Sequence, residues 1–219
     1  MNLVAIDFSI TSTAVCVSTP EKIHWFNFAS NLDLNKKAFK VHKDLEDLGL
    51  NIIGYERNKP KDLTYTQEQS FKINNANQLS YSIINAIAPY INEDTLFGIE
   101  GYSYGSKGNS FIDLITYNTF LKSKILRVCK NDIQVISPKA VKKHFTNNGN
   151  AGKPMMVEAF GKRKSSELLN DPFHNYVKRA DFGDNIPKPI DDLVDAFAIM
   201  EYMKDYSWSE LTILLLTLL

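Results

Sequence analysis

The sequence has only two cysteines, no long internal apolar run and no net charge. Cys16 and Cys129 stand singly in apolar stretches, which argues against a structural zinc site and favours a reducing, cytosolic setting. The first residues, MNLVAIDFS, carry no basic region and do not fit a signal peptide. The apolar tail, residues 211–219, would span under half of a ~30 Å bilayer core at ~1.5 Å per residue. No membrane partner is expected.

The composition is that of a folded chain, and the charge is unevenly distributed. The hydrophobic fraction is 44% and the charged fraction 23%, which excludes a disordered chain, a collagen and a coiled coil. Residues 122–179 contain 13 Lys/Arg and 4 Asp/Glu, a balance of +9, while both flanking segments are acidic. Such a segment is typical of a polyanion-binding surface, and equally of a solvated helical face.

Hydrophobic periodicity predicts an α/β fold with a mixed five-stranded sheet: three antiparallel strands, then parallel strands, flanked by helices. Ser137 and Pro138 fit an N-cap and a first helical position. Residues 31–70 are polar and are interpreted as a partly helical insertion. The predicted strands are 2–8, 13–18, 23–28, 95–100 and 132–136; the predicted helices are 71–90, 110–129, 138–145, 153–169 and 189–206; the predicted loops are 101–109, 147–152 and 171–189.

Four carboxylates carry the chemistry. Asp7 and Glu100 each end an apolar strand, in VAIDF and LFGIE, while Asp192 and Asp195 share one face of the last helix. A carboxylate at the end of a buried run is costly unless it is paired or binds metal. Oxygen-only ligands suit Mg²⁺ or Mn²⁺, and such a set can hold two ions ~3.5–4 Å apart for in-line attack on a phosphodiester.

Each acid also has a plainer interpretation. A lone aspartate or glutamate at a strand end is usually a turn residue or cap. The pair Asp191 and Asp192 is typical of the acidic first turn of a helix, which the helix dipole favours. The set of four, in this order along the chain, is more informative than any single member.

The order of these motifs resembles the RuvC-type Holliday-junction resolvases of the RNase H-like superfamily. VAIDFSITSTAVCV is similar to the family's first hairpin, and FGIE to the strand that bears its glutamate. VISPKAVKKHFTNNGNAGKPMMVEAF resembles its strand, basic helix and glycine turn, and KPIDDLVDAFAIM its final D-x-x-D-A helix. The resemblance implies one RNase H-like nuclease domain over 1–219, with insertions near 31–70 and 165–189 and an apolar tail over 207–219.

The resemblance also implies a site. Asp7, Glu100, Asp192 and Asp195 would be the catalytic metal ligands for two Mg²⁺ or Mn²⁺ ions, with Asp191 as the rival of Asp192. Lys142 and Lys153 match lysines near the scissile phosphate, and Lys153 is counted with the catalytic residues. Other predicted DNA-binding residues are Lys139, Lys143, Lys162, Arg163, Lys164, Tyr102 and Tyr104. The two tyrosines would stack on an unpaired base, or are ordinary core or surface residues.

The predicted function is a Mg²⁺-dependent endonuclease that resolves four-way (Holliday) DNA junctions in recombination and repair. The implied partner is branched DNA, and the implied state is a homodimer through helix 110–129, with the tail as a second candidate interface. The implied setting is the cytoplasm, the host's if the protein is viral. Alternatives are an RNase H-like nuclease on other branched DNA or an RNA–DNA hybrid, an actin-like ATPase, and a non-catalytic DNA-binding protein.

Overall fold

The computed structural model describes residues 1–32, 36–102 and 108–217 of the chain, and the side chains of residues 1–32, 39–102 and 108–205. These residues form strands and helices in an alternating order typical of an α/β protein. The strands are β1 Leu3–Asp7, β2 Ser12–Ser18, β3 Ile23–Ser30, β4 Asn51–Tyr55, β5 Leu96–Glu100 and β6 Ile133–Ile136. The helices are α1 Lys36–Asp47, α2 Tyr65–Ile87, α3 Asn109–Val128, α4 Pro138–Thr146, α5 Lys153–Gly161, α6 Pro172–Arg179 and α7 Ile190–Thr217.

The strands form one mixed sheet in the order β4-β3-β2-β1-β5-β6. β1, β2 and β3 are antiparallel, whereas β4, β5 and β6 each run parallel to their neighbour. The predicted meander and the α/β class are confirmed. The sheet has six strands instead of five because β4 forms inside the segment 31–70 and pairs with the edge of β3. The same segment contains α1, as its partly helical interpretation predicted.

Side chains of β1 alternate between two apolar cores, one on each face of the sheet. Val4 and Ile6 pack with α2 and α3, on what we call the α2–α3 face. Leu3 and Ala5 pack on the opposite, α7 face, beneath the last helix. Asp7 continues the second series. The period of two therefore directs the carboxyl group of Asp7 to the side where α7 lies.

β5 repeats this alternation beside β1. Phe97 and Ile99 belong to the core on the α2–α3 face, so Gly98 and Glu100 face α7. A Cβ atom on Gly98 would collide with Sδ of Met203 on α7. Because Gly98 has no side chain, Met203 can pack directly on the strand. The helix α7 therefore lies close to the strand that ends in Glu100.

The segment 171–189, predicted as a loop, contains the helix α6. The Asp171 carboxylate accepts a hydrogen bond from the backbone N–H of His174 at 2.7 Å, and a proline follows Asp171 at the first helical position. The other carboxylate oxygen of Asp171 accepts a hydrogen bond from Nε1 of Trp25 at 2.8 Å. The Trp25 ring lies 4.8 Å from Phe173 and 5.9 Å from Phe197, centroid to centroid. This cluster ties α6 and α7 to the sheet.

Helix ends and one cap also differ from the prediction: α2 runs from Tyr65 to Ile87, where a helix over 71–90 was predicted. The helix that begins at Lys153 ends at Gly161, and only a 3-10 turn, Ser166–Leu168, follows before residue 169. α7 continues to Thr217 into the apolar tail, whose side chains lie outside the described part of the chain. The Ser137 side chain makes no capping hydrogen bond, although α4 begins at Pro138 as predicted. Within the described ranges, no helix has both the length and the apolar composition needed to cross a bilayer.

Candidate active site

The four predicted acids lie around the same edge of the sheet. β1 and β5 pair in parallel with Ile6 opposite Ile99, so Asp7 and Glu100 follow as neighbours at the ends of the two strands. α7 packs against both strands on that face. Asp192 and Asp195 lie in its first two turns, three residues apart. Residues from three distant parts of the chain thus meet where parallel strands end, a position typical of active sites in α/β proteins.

The electrostatics of these carboxyl groups show that they share one environment. Burial raises the pKa of Asp7 well above its usual value, and the charges of Glu100, Asp192 and Asp195 raise it further. Burial and the charge of Glu100 raise the pKa of Asp195 to about 7. Burial likewise raises the pKa of Glu100. Mutual repulsion among anions in a partly desolvated site is the condition that a bound cation relieves.

Two lysines contact the acids at the start of α7. Nζ of Lys153 lies 2.5 Å from Oδ2 of Asp191. Lys188 forms an ion pair with Asp192 and lies 3.5 Å from Oδ2 of Asp191. Burial disfavours the charge of Lys188, but Asp192 and Asp191 outweigh this and raise its pKa. Lys188 was not predicted as a site residue; it lies in the turn before α7, where helical spacing gives no signal for its contact with Asp192.

Asp191 and Asp192 are both buried, at 3% and 4% exposure, but they face different partners. Asp192 accepts a hydrogen bond from the Ser12 hydroxyl at 2.6 Å and raises the pKa of Asp7. Asp191 pairs with Lys153, and its Oδ1 is buried without a hydrogen-bond partner. The contact with β2 and the effect on Asp7 support Asp192, rather than its rival, as the residue that faces the strand-end acids.

Basic residues of α4 and α5 border the acids. Both helices pack against α7. Lys142 of α4 lies close enough to Glu100 and Asp195 to offset part of the rise in pKa that burial causes in both. Lys153 begins α5 and contacts Asp191 directly. The two lysines that the family resemblance would put near a scissile phosphate therefore adjoin the carboxylates.

The other predicted DNA-binding residues lie further out, and one has a structural role. Lys139 and Lys143 are exposed on α4, and Lys143 donates a hydrogen bond to the backbone oxygen of Asn147 at 3.1 Å. Lys162 pairs with Glu158 at the end of α5. Lys162, Arg163 and Lys164 line a cleft of about 670 Å³ beside α6.

The Arg163 side chain packs against Phe145 of α4. Its guanidinium lies 4.4 Å from the centre of the Phe145 ring, and Nη2 donates to the Phe145 backbone oxygen at 3.2 Å. These contacts use the planar fork of Arg163 to join α5 to α4. A local positive charge in the sequence does not distinguish such a residue from one that binds DNA.

Tyr102, two residues after Glu100 in the sequence, lines a second cleft. This cleft, of about 500 Å³, is also lined by Phe111, Pro138 and Lys139. The Tyr102 ring packs edge-on against Phe111 at 5.7 Å, and Nζ of Lys122 lies 5.0 Å from its centroid. Tyr104, the other predicted stacking residue, lies outside the described residues.

The donor set fits a divalent cation in its chemistry. Its members are carboxylates, and three of them, Glu100, Asp192 and Asp195, raise the pKa of the fourth, Asp7. The Lys188 ammonium group contacts Asp192 and its neighbour Asp191, and one buried oxygen of Asp191 has no hydrogen-bond partner among the described residues. Among the described residues, however, no three or more His, Cys, Asp or Glu are placed to hold a metal ion.

The sheet order, the helices on both faces and the acids at the strand ends define a mixed α/β fold of the RNase H-like type. The solved structure of RuvC from Thermus thermophilus is similar to this chain, with a TM-score of 0.53 and 9% sequence identity; the match covers 94% of this chain and 97% of that one. The chain therefore has a RuvC-like fold.

A second solved structure, Thermus thermophilus RuvC in complex with a Holliday junction substrate, matches with a TM-score of 0.48 and 11% identity. That match covers 91% of this chain and 89% of the other. No protein-family model matches the sequence, and no curated protein matches it.

Proposed function

We propose that this protein is a divalent-metal-dependent endonuclease that cleaves branched DNA, with the four-way junction as its substrate. The observation that carries the proposal is the convergence of Asp7 and Glu100, at adjacent parallel strand ends, with Asp192 and Asp195 of α7 in a RuvC-like fold. A lysine on each side of these acids, Lys142 and Lys153, adds the charge that a phosphate requires. The whole chain, including both insertions, is proposed to form the nuclease domain.

Asp7, Glu100, Asp192 and Asp195 would hold two Mg²⁺ or Mn²⁺ ions. When bound, such ions activate a water molecule and neutralise the charge that develops on a phosphodiester. The protein's own residues bind and orient the substrate. Lys153 exchanges its contact with Asp191 for a phosphate oxygen, Lys142 binds a second phosphate oxygen, and the exposed lysines of α4 and α5 hold the flanking backbone. Hydrolysis in line leaves a 5′-phosphate and a 3′-hydroxyl.

A homodimer is the second part of the proposal, because a four-way junction presents two symmetric strands. α3 carries Ile112, Ile115 and Leu126 at 61%, 36% and 57% exposure. Their spacing places them along one side of the helix. An exposed apolar stripe on a long helix supports its assignment as the dimer interface. The mass of the protein in solution, measured by light scattering for the wild type and for Ile112→Lys, tests this assignment.

The decisive experiment is cleavage of end-labelled DNA with Mg²⁺ and with EDTA. The substrates are a four-way junction, a flap, an RNA–DNA hybrid and a plain duplex of the same sequence. Paired nicks in the junction alone, lost in EDTA, are the expected result. Cleavage of the flap or hybrid instead would keep the metal site and replace the substrate. No cleavage of any substrate would reject the nuclease and return attention to a DNA-binding protein or an ATPase.

A further inference from the structure

A buried chain of hydrogen bonds leads away from the candidate site towards α1. The Ser12 hydroxyl of β2 donates to Oδ2 of Asp192 at 2.6 Å. Nδ2 of Asn27, on β3, donates to the Ser12 hydroxyl at 3.2 Å. Nε2 of His42, on α1, lies 3.0 Å from Oδ1 of Asn27. Exposure of the four side chains is between 0% and 7%, so water does not compete for these bonds.

The directions of these bonds are fixed by the partners of Asn27. Its Nδ2 also donates to the backbone oxygen of Thr13 at 3.2 Å, and that oxygen can only accept. The amide nitrogen therefore faces β2, and the amide oxygen faces His42. Because that oxygen accepts, Nε2 of His42 must carry a proton. The Ser12 hydroxyl accepts from Asn27, which leaves its single proton for Asp192. Every donor in the chain points towards the carboxylate.

The register of the sheet explains why these residues meet. Ser12 pairs with Ala29, and Ala14 pairs with Asn27, so Ser12 and Asn27 are diagonal neighbours on the same face of adjacent antiparallel strands. β3 directs Trp25 and Asn27 to the α7 face. α1 lies within the 31–70 insertion, and His42 is buried on that helix.

We infer that His42, Asn27 and Ser12 are positioning residues that hold the Asp192 carboxylate in the orientation required to bind a metal ion. The inference rests on the proposed function and gives the insertion a role in it: α1 completes the support of a metal ligand through His42. Oδ2 of Asp192 is fixed by Ser12, while Oδ1 contacts Lys188 and would be the oxygen available to a metal ion once that ammonium group moves away. Residues that orient a ligand in this way typically change metal affinity 10- to 100-fold when removed.

Metal affinity without DNA is the first test. Calorimetric titration with Mn²⁺ would compare wild type with Ser12→Ala, His42→Ala and His42→Gln. We expect the Kd to rise about 10-fold or more in the two alanine variants. Glutamine carries an amide N–H, so His42→Gln should lie nearer to wild type than His42→Ala. The matched control is His174→Ala, since His174 is equally buried, at 4% exposure, and hydrogen-bonds the Phe160 backbone oxygen away from the site.

The His174→Ala control distinguishes a general loss of stability from a specific loss of metal binding. If His42→Ala and His174→Ala lower the melting temperature similarly but only the former weakens Mn²⁺ binding, the positioning role stands. A folded His42→Ala protein that binds Mn²⁺ as tightly as wild type would overturn it. A wild type that binds no Mn²⁺ would overturn both the positioning role and the metal site. Wild type that binds Mn²⁺ with the expected variant pattern, but cleaves no junction, would reject only the proposed nuclease.

A spectroscopic test does not use activity. In protein labelled with ¹⁵N-histidine, we expect a proton on Nε2 of His42, slow to exchange because the ring is buried. Addition of Mg²⁺ should shift this resonance in wild type and leave it unmoved in Ser12→Ala, where the chain is cut before Asp192. A neutral ring protonated only on Nδ1 would contradict the bond directions and reject the inference.

Discussion

Side chains alternate in the same way on the two faces of the sheet, but the residue types on the two faces differ. On the α2–α3 face, successive inward residues of β1 and β5 are large and apolar: Val4, Ile6, Phe97 and Ile99. On the α7 face, the equivalent positions are small in mid-strand and acidic at the strand ends. Small residues let α7 approach, and its approach brings carboxylates together at a cost in repulsion. Both faces therefore have an apolar core, and the α7 face also carries the acids of the proposed site.

The largest expected effect is on cleavage, and it distinguishes two adjacent residues of β1 that face opposite sides of the sheet. Asp7→Asn should reduce junction cleavage about 1000-fold, equivalent to about 4 kcal/mol, because a metal ligand is lost. Binding of the uncut junction, measured by gel shift in EDTA, should persist. Its control is Ile6→Val, on the opposite face, which should cost about 1 kcal/mol of stability and leave cleavage intact. An unfolded Asp7→Asn protein would contradict this division.

Leu121→Ala tests whether the core of the α2–α3 face can be weakened without changing cleavage. Leu121 is fully buried on α3, in the core of the α2–α3 face. Its truncation should lower the free energy of unfolding by about 3 kcal/mol. Denaturant titration measures this loss, and cleavage per folded molecule should stay at the wild-type rate. A large fall in that rate at low denaturant would mean that the two faces are not independent.

Much of the candidate site was predictable because its signals are local. Asp7 and Glu100 interrupt apolar strands, and Asp192 and Asp195 share a helix face. Each of these signals is local and weak alone, and their order along the chain, which resembles a known family, joined them into one predicted site. Ser12, Asn27 and His42 could not be found in this way. Ser12 and Asn27 meet through strand register, and Ser12 meets Asp192 across 180 residues of sequence. Such contacts depend on tertiary packing.

The fold shows the same division between local and tertiary signals. The meander and the long helices follow from periodicity. β4 was missed because Ile52 and Ile53 form too short an apolar run, and its strand conformation depends on pairing with β3. α6 was missed although Asp171 and Pro172 are a recognisable helix start. Arg163 shows the limit of charge patterns, since its partner is Phe145.

Gly98→Ala tests whether close approach of α7 links stability to chemistry. The new methyl group would collide with Met203, and we expect a loss of about 2 kcal/mol together with slower cleavage, because α7 carries Asp192 and Asp195. Met203→Ala in the same chain should remove the collision. A double-mutant cycle measures the coupling. Additive effects of the two substitutions would show that the helix does not depend on this contact.

The smallest predicted effect is the pH dependence of stability without metal. The folded pKa of Asp195 is raised to about 7, above an unfolded value of about 3.9, so the folded protein binds more protons between these values. Stability therefore falls as pH rises, by about 1 kcal/mol from pH 6 to pH 8. Thermal melts in EDTA check the sign, and Asp195→Asn should flatten the slope. Mg²⁺ at pH 8 should recover the loss; greater stability at pH 8 than at pH 6 in EDTA would contradict the assignment.

Trp25 gives the molecule a built-in optical reporter. Trp25 lies on β3, two residues before Asn27. Its indole is almost fully buried, donates a hydrogen bond to Asp171 and packs near Phe197 of α7. The sequence has one other tryptophan, Trp208. With Trp208→Phe, emission at long excitation wavelengths would come from Trp25 alone. Loosening of α7 would then appear as a red shift in fluorescence, so that packing of the helix carrying the acids can be followed in real time as metal or DNA is added.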